Sequence, residues 1–458
     1  MLGWLLIAAG LLPGLAAAQT INYAAPLVIT KGGTYSGNYQ SLDSNVPCIL
    51  VNTTAPVVLQ GCRLAGAGHL IQSGTGANLT IRECSGVGLT PSVDGQPPGH
   101  FLDSYQSQNL VVEHNTFSGT SGIVVNRWTS GKSGTLTVRY NQVRNVDGRW
   151  RNNGGSSRCS FLQLNTVTNL AGVEVAFNEV INTPNQSLVE DNINLYNSSG
   201  QAGSPIRVHD NFVRGAYPYP ATAGTYTGTG MTTDGDAIGA GARLRATSRP
   251  SANQFVSTCN AGDEHRSRPR YYYHDNRVVT SGLLPDGTRL GTTYAGTAVF
   301  NYYNQPASVF FNNRIVNNTI GYVRWGSNNP YPDRQDLSPG NCATCTGTTS
   351  LPNPVTLATE DNEYALWQQK LAQNGVTVGP AGTVPDPVPT RPRCAPRSHY
   401  PRQPWPTLAL RTMTRRWARP PAGKRPPART PTTTPTTPKP TAGAWRHLPR
   451  HPLPPRSV

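Results

Sequence analysis

Apolar and polar residues alternate along this chain in short runs that end alike: apolar, any, apolar, two variable residues, then Asn or Cys, with an apolar residue two further on. The copies are VVLQGCRL from Val57, LTIRECSGV from Leu79, LVVEHNTF from Leu110, LTVRYNQV from Leu136, VEVAFNEV from Val173, IRVHDNFV from Ile206, YYYHDNRV from Tyr271 and VFFNNRIV from Val309. The marking residue falls at Cys62, Cys84, Asn115, Asn141, Asn178, Asn211, Asn276 and Asn313, at spacings of 22, 31, 26, 37, 33, 65 and 37. A constant unit at irregular spacing describes coils of fixed cross-section that carry loops of variable length. Each unit is a strand too short to bury its apolar face alone. Stacked in parallel about 4.8 Å apart, such strands share one core. Asn suits the bend because it tolerates the left-handed conformation, and its amide can bond the coils above and below. An antiparallel sandwich also has short alternating strands, but gives no reason for Asn at one fixed offset.

A second series, GIVVNRW, SFLQLNT, DNINLYN and AVFNYYN, lies between the marked strands. With Ile193 and Leu195 inward, Asn192, Asn194 and Tyr196 face outward, and neighbouring coils add Gln163, Asn165, Asn301 and Tyr303. This predicts a strip rich in amides and Tyr, with little net charge. The interval between Asn211 and Asn276 is long enough to hide one irregular coil plus a long loop carrying the Asp234/Asp236 pair and CNAGDEHRSRPR. There Glu264 and His265 read as easily as a solvated loop. TLATEDNEYALWQQKLAQNGVTVGP, from Thr356, reads as a helix capped by Thr359 and ended by Asn374-Gly375, closing the edge of the last coil.

Composition divides the chain. From Pro385 onward there are 15 Lys/Arg, one acidic residue and 20 of the 41 prolines, which describes an extended basic tail, 385–458, or shifted reading frame. Positions 1–384 hold 24 basic and 22 acidic residues, so nearly all of the net charge of +16 belongs to the tail and the folded body is no nucleic-acid binder. Residues 1–18 read as a signal peptide with an Ala16-x-Ala18 cleavage pattern, leaving no membrane span in a secreted or cell-surface protein, expected to be a monomer. Eight cysteines suit export. Cys342 and Cys345 are close enough in sequence to bridge locally. Cys62 and Cys84 share an offset, so they either bridge or stack as buried thiols.

On these units, over Ile21 to Val378, the chain resembles the right-handed parallel β-helix proteins of the pectate-lyase-like superfamily. The expected fold is all-β: a right-handed parallel β-helix with variable loops and a short C-terminal helix, spanning 19–384. EDNINLYNSSG…SPIRVHDN further resembles a group of secreted bacterial β-helix proteins. The Arg-x-Pro-x-x-Arg signature of pectate lyases and the Gly-His-Gly and Arg-Ile-Lys signatures of polygalacturonases are absent. The resemblance implies substrate along an outer face.

Amides and Tyr rings suit sugars, whose hydroxyls hydrogen-bond and whose C–H faces cover aromatic rings. A single outward Asn reads as solvated surface; the clustered strip reads as a binding surface for an extended, acidic polysaccharide. In β-helix lyases a base removes the proton beside a uronate carboxylate, whose charge Ca²⁺ or a side chain offsets. His209, Arg207 and Arg139 are the candidate bases, with Asp191 beside them, and Glu174, Glu190 and Asp210 are the candidate metal ligands. The rival chemistry, hydrolysis, would use the carboxylates Asp234 and Asp236, although Asp-Gly-Asp is more often a turn. The third reading is a non-catalytic glycan-binding or adhesive β-helix.

Overall fold

The structure is a computed structural model, and it describes residues 21–128, 134–201, 203–235, 248–266 and 270–381. The expected signal peptide, the tail from 385 and Asp236 lie outside the described residues. Three parallel sheets of 11 strands each run the length of the body. The first begins at Leu27–Ile29, the second at Gly33–Tyr35 and the third at Asn38–Ser41, and the chain visits them in that order on every coil. This is a right-handed parallel β-helix, the hand that parallel crossovers favour. Inward residues stack by kind. Ile81, Val112, Val138, Val175, Val208 and Pro250 pair in succession on the second sheet. The first five of them are fully buried. One core therefore runs through all coils, and no strand has to be stable alone.

The marking residues stand in a file at the corner between the second and third sheets. Asn115 Nδ2 donates to Asn141 Oδ1 at 2.9 Å, Asn141 to Asn178 at 2.9 Å, Asn178 to Asn211 at 2.9 Å, Asn211 to Asn253 at 2.9 Å and Asn253 to Asn276 at 3.0 Å. Each of these oxygens also accepts the backbone N–H of the residue below, and Nδ2 reaches a strand carbonyl, as Asn178 does at Val138. The amides are thus satisfied without water. Two readings of the sequence are corrected here. Asn253 is a member, on a coil whose strand Ser248–Ser251 replaces the apolar pattern with Ser248 and Pro250. The file then continues to Asn318, which accepts the Asn276 N–H, while Asn313 precedes its strand and accepts the N–H of Tyr271.

The bend is also made differently. Left-handed backbone falls on the residue before the Asn: His114, Tyr140, Phe177, Asp210, Asp275 and Asn317 all have φ between 53° and 58°. Asn itself is kept for the ladder. A side chain in this conformation costs roughly 1–2 kcal/mol, which the repeated ladder bonds offset. This corner stays two residues long in every marked unit. The other two corners absorb the variable spacing.

Cys62 and Cys84 continue the file as free, buried thiols, with the Cys62 N–H donating to Cys84 Sγ at 3.3 Å. Cys342 and Cys345 form a disulfide.

The helix Leu357–Asn374 is capped by Thr356, whose side chain accepts from Thr359 N–H while the Thr359 side chain accepts from the Thr356 N–H. Thr359 is thus the third helical residue of a capping box and not the cap. Nor does the helix cover the last coil's edge. It lies on the outer face of the third sheet, where Tyr364 and Trp367 pack on Ile181, Phe212 and Val256. Buried Glu363 accepts from Arg277 Nε and Nη2 at 2.7 Å each. No helix among the described residues is long and apolar enough to cross a membrane.

Asn178→Ala should lower the unfolding free energy by about 3 kcal/mol or more, because it strands buried donors of Asn141 at about 1–3 kcal/mol each. Denaturant titration checks this; a loss below about 1 kcal/mol would show that the file does not hold the coils.

Candidate functional site

Two outer faces carry the candidate residues, and they are separated by a corner. On the second sheet, Arg139, Arg207 and His209 form an ion-pair ladder. Arg139 binds Glu113 through Nε at 3.0 Å and Nη2 at 2.9 Å. Glu174 accepts from Arg207 at 2.5 Å and lies 3.3 Å from His209 Nε2. His209 Nδ1 is 2.8 Å from Asp210 Oδ2, and Asp210 also meets Lys370 of the helix at 3.1 Å. Burial opposes ionisation of Asp210, yet His209 and Lys370 hold its carboxyl below the usual range. The three expected bases are each committed to a neighbouring carboxylate, which is a structural arrangement of half-exposed charges.

The expected metal set is likewise divided. Glu174 and Asp210 meet around His209, but Glu190 precedes the first-sheet strand Asp191–Tyr196 and accepts from Thr227 at 3.2 Å. Among the described residues no three His, Cys, Asp or Glu converge as metal ligands. The residues named for Ca²⁺ therefore do not fit it.

The first sheet holds the other face. Asn126, Asn165, Tyr196 and Asp234 pair in succession at its edge, and Gln163, Asn194, Thr232 and Glu264 form the next column. Arg127, Thr166 and Asn197 take left-handed backbone immediately after Asn126, Asn165 and Tyr196, ending each strand at the same level. Asn165 donates to Asn126 at 3.1 Å. Within this face Asn194 Nδ2 donates to Asp191 Oδ2 at 2.7 Å, and the Thr232 hydroxyl lies 2.7 Å from Asp191 Oδ1 and 3.2 Å from Glu264 Oε1. Glu264 also pairs with Arg266, whose guanidinium faces the rings of Phe300 at 5.8 Å and Tyr302 at 5.7 Å. Asp234 is bonded by Tyr303 and, at 2.6 Å, by the N–H of Gly235. Gly235 has φ 150°, and a Cβ there would sit 2.3 Å from Asn197 Oδ1.

Most of the expected strip is brought together: Gln163, Asn165, Asn194, Tyr196 and Tyr303. Asp191, expected beside His209, Arg207 and Arg139, lies on this face instead, as does Asp234. Two members of the strip are not brought together with the rest. Asn192 is fully buried and bonds Asn182 and the Gly215 carbonyl, because the alternation fails at the start of its strand and Asp191 takes the outer position. The strand Ala295–Val299 ends before Asn301, whose amide closes a turn with both backbone groups of Gln305.

The strip is also charged, contrary to expectation, because Glu264 and Arg266 belong to it. CNAGDEHRSRPR contributes the strand Ala261–His265, where Glu264 faces out and Asp263 and His265 face into the coil. Polar residues at the inward positions hid this strand from an apolar-alternation test. Inside, Thr233 Oγ1 lies 2.6 Å from His265 Nδ1 and 2.8 Å from the Tyr273 hydroxyl.

Burial sets the protonation of these acids. It pushes Glu264 up to about 7, aided by Asp191 and opposed by Arg266. Burial likewise raises Asp234 and Glu190. One hydroxyl proton on Thr232 cannot serve two ionised carboxylates, and protonated Glu264 removes that conflict. Asp263, in the core, is pushed up to about 7 by burial, with Thr297 opposing, and among the described residues neither of its oxygens has a hydrogen-bond partner of normal geometry.

No family model and no curated protein matches the chain. Among solved structures, it is similar to two of the periplasmic alginate epimerase AlgG. One is 11% identical with a TM-score of 0.32 and the other 10% identical with a TM-score of 0.31; each match covers 69% of this chain and 78% of that one. Likeness at that level carries no argument about activity.

Asp263 gives a pH signature. Its folded-state pKa lies above the ordinary 3.8, so folding takes up a proton and stability falls as pH rises from about 4 to about 7. Asp263→Asn should flatten part of that slope and raise stability at pH 8; thermal unfolding across pH 4–8 checks it, and an unchanged slope would show that Asp263 does not titrate there.

Proposed function

We propose that the protein is an exported, polysaccharide-acting β-helix enzyme that cleaves glycosidic bonds by hydrolysis at Asp191 and Glu264. The observation that supports this is the pair of carboxylates meeting one Thr232 hydroxyl, at 2.7 and 3.2 Å, with burial raising Glu264 to about 7 and Asp191 tied to Asn194. A carboxyl raised toward neutrality suits the role of acid, which leaves the second carboxyl group as its partner. Glu264 then protonates the leaving oxygen as the glycosidic bond breaks and Asp191 bonds to the anomeric carbon; water, giving its proton to the ionised Glu264, next displaces Asp191 and releases the sugar. The two contacts bound the separation of those oxygens at about 6 Å, nearer to pairs that attack the sugar directly than to the roughly 6.5–9.5 Å of pairs that admit a water between them. Gln163, Asn165 and Tyr196 supply hydrogen bonds and a ring for the sugars on the preceding coils.

One observation favours a second reading, elimination at a uronate. Arg266 stands beside Tyr303, and a guanidinium can offset a uronate carboxylate while a phenol moves the proton. Against it, Arg266 already pairs with Glu264.

Reducing ends should appear from a susceptible polymer without absorbance from unsaturated ends; that absorbance would instead establish elimination, and retention of glycan with neither signal would establish an adhesin. Asp191→Asn and Glu264→Gln should each lower kcat by about 100-fold or more, in the range of acid–base effects. His209→Ala should leave it within about twofold, since an exposed ion pair is worth only about 1 kcal/mol. Loss of turnover on replacing His209 would return the chemistry to the second sheet.

A further inference from the structure

Three buried polar atoms of the first-sheet network have no hydrogen-bond partner among the described residues: Asn194 Oδ1, Glu264 Oε2 and Arg266 Nε. Asn194 is 8% exposed and Glu264 1%. Each atom belongs to a side chain that the network already holds through another polar atom: Asn194 Nδ2 with Asp191, Glu264 Oε1 with Thr232 and Arg266, and Arg266 Nη2 with Glu264. Buried polar groups are almost always satisfied, so three orphans on one connected network describe a set that a ligand completes. We propose that this set receives an uncharged sugar bearing adjacent hydroxyl groups and rejects a uronate, an inference that rests on the hydrolytic reading above.

The orphans differ in what they need. Asn194 Oδ1 only accepts, and Arg266 Nε only donates. Glu264 Oε2 donates when protonated and accepts when ionised. A hydroxyl group both donates and accepts, so vicinal hydroxyls satisfy all three atoms in either protonation state. Neutral sugars and uronates share these ring hydroxyls, but the uronate's carboxylate only accepts and adds no donor for Asn194 Oδ1.

Charge points the same way. Asp191 and Asp234 both act electrostatically on Glu264 and on Arg266. The one guanidinium on this network is therefore already compensated, and a uronate would bring its negative oxygens against these carboxylates in a water-poor setting where repulsion is poorly screened.

The test uses the purified full chain and two sets of soluble polymers at equal mass: galactomannan, mixed-linkage β-glucan and dextran as neutral probes, polygalacturonate and alginate as uronate probes. The expected result is reducing-end release from a neutral polymer at a kcat/KM at least tenfold above that for either uronate polymer. Hydrolysis of a uronate polymer at an equal or greater kcat/KM overturns the substrate class and leaves the hydrolytic reading standing. Unsaturated ends from a uronate polymer overturn the substrate class and replace hydrolysis by elimination. No release from any polymer overturns both.

Discussion

The buried amide file from Asn115 to Asn318 is the constraint on which the rest depends. A parallel coil must turn at the same place on every storey, or the inward residues of successive strands cease to coincide. Each ladder Asn enforces this by spending all its hydrogen-bonding capacity on three coils at once: Asn178 meets Asn141, Asn211 and the carbonyl of Val138. A shift of one residue would leave those groups buried without partners, and register is specified accordingly. With this corner fixed, loops at the other two corners can vary freely in length, as the uneven Asn spacing shows.

That constraint explains what was legible in the sequence. Units with aliphatic inward positions, such as LVVEHNTF and IRVHDNFV, declare both their strand and their ladder residue. Ser248–Ser251 and Ala261–His265 do not, because Ser, Pro, Asp and His occupy the inward places where periodicity is sought. The candidate site inherits this pattern. Asn194 was legible as a member of an outer strip, and Asp191 and Asp234 only as separate candidate acids, whereas Glu264 and Arg266 lie in the segment whose inward face is polar. The strand that departs from the repeat is also the one that brings the second carboxylate to Asp191, as expected where local consistency is given up for a site.

The two outer faces show why charge alone was a poor guide. Arg139, Arg207 and His209 attracted attention as outward bases, yet a stack that repeats every few ångströms brings like positions close together. Opposite charges at adjacent levels, such as Glu113 with Arg139 and Glu174 with Arg207, relieve that crowding. On the first sheet the carboxylates outnumber their cation and lie deeper. Burial raises Glu264 and Asp234 there, which sets this face apart from the more solvated ladder.

The C-terminal helix changes how such a stack can come apart. Solenoids are nearly one-dimensional and can fray from either end, one repeat at a time. Here the chain leaves the final coil and returns to grip earlier ones: Asp361 binds Arg214, Glu363 binds Gln254 and Arg277, and Tyr364 reaches Glu179. The terminal repeats cannot peel away while this buckle is fastened to the middle. Unravelling from that side must begin with the buckle's release, which joins the end of the stack and its working storeys into a single cooperative block.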